Sequence, residues 1–582
     1  MTDIKKVFKD LYRYQWVYLL RGLILQILVG TVGGYLLSEV FYLVLLLARE
    51  DQLTQTNLLS LLKSPWAVLG CIGYLLLLSA LIYIEYSLLV DIIRRKDRAI
   101  SWSFRRFMRR CRDFLKTISG FQILFFLGYI ILTMPLVQWL LSSTLLDGVR
   151  IPYFITDELL KQPKTAIPLI IGGIGLYYIN LRLIYTLPLT IVRFQTRFWD
   201  NLTASWQLTK GKSWQLLITL SLLALPLAFL AALILALFFF FIELTGTGLL
   251  SKSLQWLLVT FIWGASLALT MMSKLTILSY LLTQLEKHHL HTSYEDLPKI
   301  PRRRRWVALT LIFLIGLSQF VVNYDRLSYN PYNKAIETIA HRGDVNKGVE
   351  NSIEALVGAA EAQVDYVEMD IILSKDKQFI VSHDNDLRRL TGQSISISDS
   401  TAKELVGLPI SQDDFKSQLV DFDTYVAKAK ELNTKLMVEL KPHGKEQADY
   451  AQLVVETFKR LGITKDYKLM SLDWDLIRSI EILAPEIETG YIIPLQFGYL
   501  AGEGVDFLLI EDFSYRDRLV WEARWRQQEL YVWTINREAQ MQHYLQTPIA
   551  GMITDHPELV NETKKDLEKN NQFVDRLLRL LN

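Results

Sequence analysis

The chain has 582 residues, of which 51% are apolar and 21% are charged, and its mean hydropathy is +0.21. Charge is uneven, because residues 325–582 hold 30 Lys and Arg against 43 Asp and Glu, whereas the whole chain holds 63 against 60. A basic, very apolar first half therefore precedes an acidic, ordinary second half, which excludes a disordered chain and a single soluble domain. The acidic half also argues against nucleic acid as a partner. Two cysteines, Cys71 and Cys111, exclude a disulfide framework.

The first 323 residues contain apolar runs long enough to cross a bilayer, which takes about 20 residues. We predict seven spans, near residues 16–48, 66–91, 119–142, 167–192, 214–243, 254–285 and 306–323. The first run contains Arg21, Gln26 and Glu39 and is too long for one upright helix. A tilted helix with an interfacial start fits this run, and so do two short passes.

Lys and Arg accumulate in alternate loops: before the first span, and after the second, fourth and sixth. Cytoplasmic loops carry this excess, so the N-terminus is predicted to lie inside the cell. Seven spans then put residues 324–582 outside, and splitting the first run would break the alternation. The basic stretch 92–116 is accordingly interpreted as a cytoplasmic loop on anionic lipid rather than a nucleic-acid patch.

Ionisable residues inside predicted spans are candidates for a lipid or transport path. Four such residues are Arg21, Glu39, Glu85 and Arg182. A place near the interface, or pairing between helices, is the simpler explanation. His288, His289 and His291 resemble a metal cluster but have no carboxylate or cysteine partners in a fixed motif, which favours a solvated loop.

Residues 324–582 have the usual length of one (β/α)₈ barrel. Nine β-rich runs recur, at 336–341, 365–373, 378–383, 435–441, 467–471, 488–493, 506–510, 530–536 and 550–555. Helical stretches separate most of them, which predicts a parallel sheet. The link 374–377 is too short for a crossover helix, so the second and third runs are predicted to form a hairpin that contains one extra strand. The predicted architecture is a multi-span α-helical membrane domain followed by a TIM-type barrel.

Active sites of such barrels lie at the carboxyl ends of the strands. Glu368 and Asp370 are two apart on one predicted strand and therefore share a face. Two buried carboxylates on one face need a cation or a proton between them. Glu439 on a later strand completes a three-carboxylate site that suits one divalent metal, Ca²⁺ or Mg²⁺. A salt-bridged structural pair is the alternative.

Histidines and cations occupy other strand ends. His341 and His383 each end a predicted strand and are candidates for a general base and a general acid. Arg342 and Lys441 match a phosphoryl group, Arg as a fork and Lys as a point charge. Acids, bases and cations around one barrel mouth indicate phosphoester chemistry.

These residues belong to a series of short motifs. In chain order the motifs are His341-Arg342-Gly343, Glu350-Asn351, Glu368-Met369-Asp370, His383-Asp384, Glu439-Leu440-Lys441, Trp533-Thr534-Ile535-Asn536 and Thr554-Asp555-His556-Pro557. In this order and spacing, residues 336–557 resemble a glycerophosphodiester phosphodiesterase domain. Val349 and Ser352 replace the family's usual Pro and Thr and leave the charged residues intact. The first half is similar to the multi-span membrane domain of some Gram-positive bacterial members.

The resemblance implies hydrolysis of a glycerophosphodiester to sn-glycerol 3-phosphate and an alcohol. It implies that Glu368, Asp370 and Glu439 hold the metal. His341 and His383 would handle the protons: one would promote attack, for which the substrate's own glycerol hydroxyl is a candidate nucleophile, and the other would protonate the leaving alkoxide. Which histidine takes which role stays open.

The resemblance also implies a substrate site. Arg342 and Lys441 would neutralise the phosphate, and Glu350 and Asn351 would lie near the metal and phosphate. Trp533 would flank the glycerol or the leaving group, with a tryptophan of the core as the alternative.

An extracellular barrel tethered at the bilayer would meet lipid-derived glycerophosphodiesters, lysolipids and the polyglycerol-phosphate chains of a Gram-positive wall. Two alternatives stay open. One is a lysophospholipase D or a cyclising phosphodiesterase of the same fold. The other is a membrane sensor or transporter whose barrel only binds a phosphodiester.

Overall fold

The computed structural model describes most of the chain. The described residues are 2–50, 52–54, 60–96, 104–140, 143, 145, 159–160, 163–193, 196–244, 249–287, 306–307, 309–310, 313–321 and 334–569. The chain divides into two compact units, one of residues 1–48 with 64–328 and one of residues 49–63 with 329–582.

The first unit is helical. Its helices are α1 Thr2–Leu28, α2 Gly34–Ala48, α3 Pro65–Arg95, α4 Phe104–Thr117, α5 Gln122–Leu140, α6 Pro163–Leu183, α7 Thr186–Val192, α8 Phe198–Leu208, α9 Ser213–Leu244 and α10 Leu249–Lys287. A π-helical turn, Val29–Gly33, joins α1 to α2. The first apolar run is therefore one continuous helical segment, Asp3–Ala48, rather than two passes.

Long apolar helices dominate this unit. Within the described residues, five helical segments are long and apolar enough to cross a membrane, and the bent pair Cys111–Thr117 and Gln122–Thr133 makes a sixth if it is one span. The seventh predicted span, 306–323, lies partly outside the described residues. His288, His289 and His291 all lie outside them. The count of seven spans stays a prediction.

Buried polar groups of the first unit contact each other across helices. Glu85 is fully buried, and its Oε1 accepts a hydrogen bond from Gln26 at 2.7 Å and lies 3.7 Å from Nζ of Lys274. Arg182, also buried, donates from Nε to the hydroxyl of Thr209 at 2.9 Å. These contacts favour the explanation by pairing between helices.

The second unit contains a closed barrel. Its strands are β1 Gln52–Thr54, β2 Glu337–Ala340, β3 Tyr366–Leu373, β4 Phe379–Val381, β5 Pro409–Gln412, β6 Phe415–Gln418, β7 Lys435–Leu440, β8 Lys468–Ser471, β9 Glu488–Ile493, β10 Gln496–Gly498, β11 Phe507–Glu511, β12 Glu529–Trp533 and β13 Gly551–Thr554. Eight parallel strands follow the order β2-β13-β12-β11-β9-β8-β7-β3, and β2 pairs with β3 to close the ring. Strand β4 pairs antiparallel with β3, so the predicted hairpin and its extra strand are confirmed.

Helices surround the ring. They are α11 Ile353–Glu361, α12 Phe422–Glu431, α13 Tyr450–Leu461, α14 Trp474–Leu483, α15 Asp517–Trp525, α16 Glu538–Tyr544 and α17 Pro557–Lys569. The sequence did not predict the hairpin β5–β6, nor the two short strands β1 and β10, which pair antiparallel. Strand β10 stands where a helix is expected after β9.

Apolar side chains fill the barrel and seal it against its helices. Met437, Phe507 and Tyr531 belong to a cluster inside the ring, whereas separate clusters lie between strands and helices. Burial of this apolar area is the main stabilising contribution of the barrel. The polar residues that do not take part in this apolar core lie at the carboxyl ends of the strands, which is where the candidate site is found.

Candidate active site

Strand register brings three carboxylates together. Every residue of β3 is buried, and Glu368 and Asp370 project from its same face. Asp370 stands opposite Glu439 in the parallel ladder between β3 and β7. Ligand-type oxygens of all three residues lie within 4.8 Å of one another. The three-carboxylate cluster expected from the sequence is present in the fold.

Two cations lie against this cluster. Nζ of Lys441 is 2.5 Å from Oε1 of Glu439 and 3.3 Å from Oδ1 of Asp370. Nε of Arg342 is 3.4 Å from Oδ2 of Asp370, and the backbone amide of Arg342 donates to Oε2 of Glu368 at 2.8 Å. Three carboxylates against two cations leave one negative charge when all are ionised.

The pKa values of the two carboxylates of β3, Glu368 and Asp370, are shifted in opposite directions. Burial, with the nearby charge of Asp370, raises the pKa of Glu368 to about 8. Burial opposes ionisation of Asp370 too, but Lys441 and His383 outweigh it and lower the pKa of Asp370. The cluster therefore needs a proton or a further positive charge, as two close buried carboxylates do.

A hard divalent cation fits these residues. Oε1 of Glu368, Oδ1 of Asp370 and Oε1 of Glu439 are all buried; Lys441 pairs with the last two, whereas Oε1 of Glu368 makes no hydrogen bond with the described residues. Unsatisfied buried oxygens are costly, and three carboxylate oxygens facing one point are the donor set that Ca²⁺ and Mg²⁺ prefer. Lys441 and Arg342 neutralise part of the charge, so the salt-bridged alternative accounts for Asp370 and Glu439 but leaves Oε1 of Glu368 without a hydrogen-bond partner among the described residues.

Each predicted histidine has a carboxylate partner at Nδ1. His341 follows β2, and its Nδ1 lies 2.7 Å from Oδ1 of Asp555. Asn536 holds that aspartate, donating from Nδ2 to Oδ2 at 2.6 Å and accepting from the Asp555 amide at 2.8 Å. Because a carboxylate only accepts, Nδ1 carries the proton and Nε2 is left for chemistry. Burial and Arg342 oppose protonation of His341, but Asp555 outweighs them and raises its pKa.

His383 is held in a wider network. Its Nδ1 lies 2.7 Å from Oδ1 of Asp384, whose Oδ2 accepts from Nε of Arg389 at 2.8 Å. The same guanidinium donates to both oxygens of Glu350, at 2.8 and 2.5 Å. Burial opposes ionisation of Glu350, but Arg389 and Arg342 outweigh it and lower its pKa. Nη1 of Arg342 donates to Oε1 of Glu350 at 3.2 Å, so Arg342 joins this network to the carboxylate cluster.

The loop after β2 needs unusual backbone geometry. Gly343 has φ +85°, and a Cβ there would lie 2.7 Å from the backbone of Ala355, so glycine alone fits. Arg342 and Asn351 also have positive φ, 55° and 60°. Asn351 donates to Oδ2 of Asp370 at 2.9 Å and accepts from its amide at 3.1 Å. These two bonds fix the loop against β3.

Nine predicted site residues therefore lie in or beside one network, and the tenth lies at the same barrel end. Trp533 ends β12, beside Glu511 in β11, and is partly exposed. Four residues that hold His341, His383 and Glu350 in place had no role predicted from the sequence: Asp384, Arg389, Asn536 and Asp555. All four were part of the recognised motifs, Arg389 in the stretch 387–392 that follows His383-Asp384, so the residue types were visible, but their pairing with His341, His383 and Glu350 depends on the fold.

Comparison with known families covers both units. Residues 4–321, more than half of the chain, match the family described as the membrane domain of glycerophosphoryl diester phosphodiesterase. The chain belongs to the glycerophosphoryl diester phosphodiesterase family. Residues 341–559 match the catalytic family of the same name, so the chain is a phosphoric diester hydrolase that carries a membrane domain.

Individual relatives of this phosphodiesterase are distant. A glycerophosphodiester phosphodiesterase of Caldanaerobacter subterraneus subsp. tengcongensis is 23% identical over 236 residues, which cover 39% of this chain and 97% of that protein. A lysophospholipase D of Rattus norvegicus is 24% identical over 272 residues, covering 38% of this chain and 84% of that protein. An Oleispira antarctica phosphodiesterase solved with the product sn-glycerol-3-phosphate aligns with 40% of this chain and 99% of its own, at 22% identity and a TM-score of 0.35.

Proposed function

We propose that this phosphodiesterase hydrolyses glycerophosphodiesters to sn-glycerol 3-phosphate and an alcohol, with one divalent metal, at the outer face of the cell membrane. Residues 1–323 would form the membrane domain and residues 324–582 the catalytic barrel. The observation that carries the proposal is the buried carboxylate cluster beside two histidines that each have a carboxylate at Nδ1. A binding protein has no need of two such oriented proton carriers.

Glu368, Asp370 and Glu439 would hold the metal, either Ca²⁺ or Mg²⁺. When bound, such an ion polarises phosphoryl oxygens and stabilises the charge that develops on them. With a divalent ion added, the cluster and its two cations change from one net negative to one net positive charge. A phosphodiester, which carries one negative charge, is then matched by the site.

The residues around the cluster would bind and orient the phosphate. Arg342 and Lys441 both have a raised pKa because neighbouring carboxylates outweigh the effect of burial, so they stay cationic. Preorganised cations of this kind stabilise charge as it develops. Glu350 and Asn351 would hold Arg342 and the loop in place, and Trp533 would flank the glycerol or the leaving group.

His341 and His383 would move the protons. In hydrolysis one oxygen nucleophile forms a bond to phosphorus and loses a proton, while the bond to the alcohol oxygen breaks and that oxygen gains a proton. With Nδ1 held by Asp555 or Asp384, each imidazole offers Nε2 for one of these transfers. The geometry is compatible with either assignment of the two roles.

Product analysis tests the reaction. Purified full-length protein would receive glycerophosphocholine, glycerophosphoglycerol, a polyglycerol-phosphate oligomer and, separately, a lysolipid, and phosphorus NMR would identify the products. We expect a phosphomonoester with the resonance of sn-glycerol 3-phosphate. A cyclic phosphodiester, or a lysophosphatidate released from a lysolipid in preference to all three substrates, would support the cyclising or lysophospholipase D alternative instead.

The same assay separates an enzyme from a sensor. His341→Ala should abolish turnover while the protein still binds glycerophosphocholine, because the histidine moves protons and the cations bind the phosphate. Binding by the wild type without any turnover, with metal present, would favour the sensor or transporter.

The outer-face location is supported by the alternation of Lys and Arg between loops. It is also supported by β1, which lies between the first two predicted spans and pairs with β10 of the barrel unit, so this loop and the barrel share one side. In a chain with Cys71 and Cys111 replaced by serine, Glu361→Cys should react with an impermeant maleimide on intact cells. Lys210→Cys should react only after permeabilisation, and the reverse pattern would place the barrel inside.

A further inference from the structure

A cavity of about 120 Å³ lies within the helical unit, between the start of α7, the turn from α8 to α9, and the end of α10. Three leucines form part of its wall, and the other lining residues are polar: Tyr185, Thr209, Lys212, Gln215, Tyr280 and Gln284. Polar side chains are costly among membrane-spanning helices, so a group of them around one cavity indicates a ligand.

The cavity lies close to one end of the membrane-spanning helices. Tyr280 and Gln284 are seven and three residues before Lys287, where α10 ends. At 1.5 Å per residue, both are within about 10 Å of that end. Lys212 belongs to the loop after the fourth predicted span, which the alternation of Lys and Arg assigns to the cytoplasm. The cavity is therefore within reach of lipid headgroups and of small solutes on that side.

Two cations at this cavity have no carboxylate partner in the described part of the chain. Lys212 is exposed and lines the cavity. Arg182 is 5% exposed, and its Nε donates to the hydroxyl of Thr209, a lining residue, at 2.9 Å. Its other contacts, at 2.8 and 2.5 Å, are to the hydroxyl of Tyr178 and the carbonyl of Trp206. A buried charge without an opposite charge is strongly unfavourable, so this arginine favours an anion nearby.

The surroundings of the cavity keep its potential positive. Oδ2 of Asp3 accepts from Nε2 of Gln284 at 3.0 Å and from Nζ of Lys287 at 2.6 Å, so this acid is already neutralised. The amide of Leu216 donates to the carbonyl of Lys212 at 2.8 Å, which is the first bond of α9. The three amides before it have no carbonyl one turn earlier, and amides at a helix start attract anions.

A buried hydroxyl at the cavity has no partner. Tyr185 is 7% exposed and lines the cavity, and its hydroxyl makes no hydrogen bond with the described residues. Buried polar groups are normally hydrogen-bonded, so this hydroxyl needs an acceptor. Tyr280 adds a second phenol to the wall. Hydroxyl, amide and ammonium groups together are donors that suit the oxygens of a phosphate.

We propose that this cavity binds the phosphate group of an anionic phosphate ester. Lys212 would form the ion pair, and the hydroxyls of Tyr185 and Tyr280 would donate hydrogen bonds. Arg182, behind Thr209, would be compensated by the charge of the bound anion. The leucines of the wall would contact the apolar part of the ester. The headgroup of an anionic lipid and a soluble phosphate ester both present this chemistry.

Native mass spectrometry of the full-length protein measures binding of a lipid. Phosphatidylglycerol would be compared with phosphatidylcholine, whose phosphate is balanced by its own cation. Lys212→Gln should lower binding of phosphatidylglycerol several-fold and affect phosphatidylcholine less. Lys210→Gln removes the same charge at an exposed position that does not line the cavity, and it should change neither. Both variants leave the barrel intact, so the difference between them reports on the cavity.

Calorimetric titration distinguishes the two sources of phosphate. Inorganic phosphate and sn-glycerol 3-phosphate would each be added to the full-length variants in EDTA, so that no metal loads the barrel. Binding that K212Q loses and K210Q keeps would identify a soluble ester as the ligand. A loss confined to phosphatidylglycerol would identify the lipid headgroup. Equal binding by K212Q and K210Q in every titration and with both lipids would overturn the proposal.

A second variant tests the hydroxyls without changing the net charge. Tyr185→Phe combined with Tyr280→Phe keeps both rings, and thermal unfolding shows whether the protein stays folded. We expect the folded double variant to bind several-fold more weakly the same phosphate compound that K212Q loses. Binding equal to that of the wild type would overturn the role of the cavity, because Lys212 would then act only as a surface charge.

Discussion

Nδ1 of His341 lies 2.7 Å from Oδ1 of Asp555, although 214 positions separate the two residues in the chain. The contact joins the loop after the first strand of the barrel to the end of its last strand, which pair side by side. Closing the ring therefore also orients a proton carrier. The side chain of Asn536 hydrogen-bonds both the carboxylate and the backbone amide of Asp555, so the carboxylate of Asp555 has little freedom to turn away from His341.

Asp555→Asn should lower kcat by roughly 10²–10⁴-fold, the range that proton transfer by a correctly positioned side chain contributes, because the histidine would lose the group that orients it. Because Asp555 raises the pKa of His341, the variant should also move the histidine-dependent limb of the pH–rate profile to lower pH. Steady-state kinetics across pH measures both effects. Asp566→Asn, at an exposed position of α17, is the control, and a D555N profile that matches it would show that this aspartate does not orient the histidine.

Acid should destabilise the barrel through Glu350. Its native pKa lies below the ordinary value of 4.5, so its ionic contacts stabilise the fold above that pH and are lost as the pH falls through the native pKa. Thermal unfolding should therefore show a midpoint that falls as the pH is lowered below about 4.5.

Arg389→Gln should weaken that dependence. The variant removes the bidentate partner of Glu350, so the midpoint should be lower at neutral pH and should change less on acidification. The expected cost at neutral pH is about 1–3 kcal/mol of unfolding free energy. Arg388→Gln, next to it and with its side chain mostly exposed, is the control. A full acid-induced shift in R389Q would assign the effect to other carboxylates.

Binding of Ca²⁺ or Mg²⁺ should release protons from the cluster. The pKa of Glu368 is raised to about 8 without an added cation, so near pH 7 the ion must displace a proton from it. Calorimetric titration in two buffers of different ionisation enthalpy measures that release. Glu439→Gln should abolish binding, whereas Glu361→Gln, at an exposed position of α11, should not. Wild-type binding without any dependence on buffer would contradict the assignment of the proton to Glu368.

The opposite end of the barrel should affect stability but not chemistry. Nζ of the buried Lys468 lies 2.6 Å from Glu529, 3.0 Å from Glu488 and 3.0 Å from the hydroxyl of Tyr531. These strands begin here, at the end that serves stability in such barrels. Lys468→Met should lower the free energy of unfolding by roughly 1–3 kcal/mol, below the cost for a fully buried pair because both glutamates are half exposed.

Activity per folded molecule should stay the same in K468M. Kinetics at low temperature, normalised to the folded fraction, provides the check. Lys435→Met, at the exposed first position of β7, is the control for loss of a charge at this end. A fall in kcat without a loss of stability would mean that the two ends are coupled.

The sequence predicted most of the barrel because local patterns determine most of it. All nine β-rich runs form strands, and the short link after β3 required the hairpin with β4. The carboxylate cluster was equally predictable, since a spacing of two on a strand and a shared barrel mouth need no knowledge of loops.

The rest depends on contacts between distant segments. Strand β1 has three residues in a loop between two helices and gains its extended form only by pairing with β10. The partners of the histidines were visible as residue types, but no local pattern joins Asp555 to His341. Exposure of Trp521 and Trp525 in α15 is likewise a property of the folded surface, because in sequence they match the helical spacing of a buried face.

Release of sn-glycerol 3-phosphate by the purified full-length protein is the decisive test of metal-dependent phosphodiester hydrolysis. Glycerophosphoglycerol would be offered to the wild type and to Glu439→Gln, first in EDTA and then with Ca²⁺ or Mg²⁺ in excess. We expect release by the wild type only when a divalent ion is present, and a loss of at least about 100-fold in E439Q under every condition. Release that continues in EDTA, or an E439Q variant as active as the wild type, would contradict it.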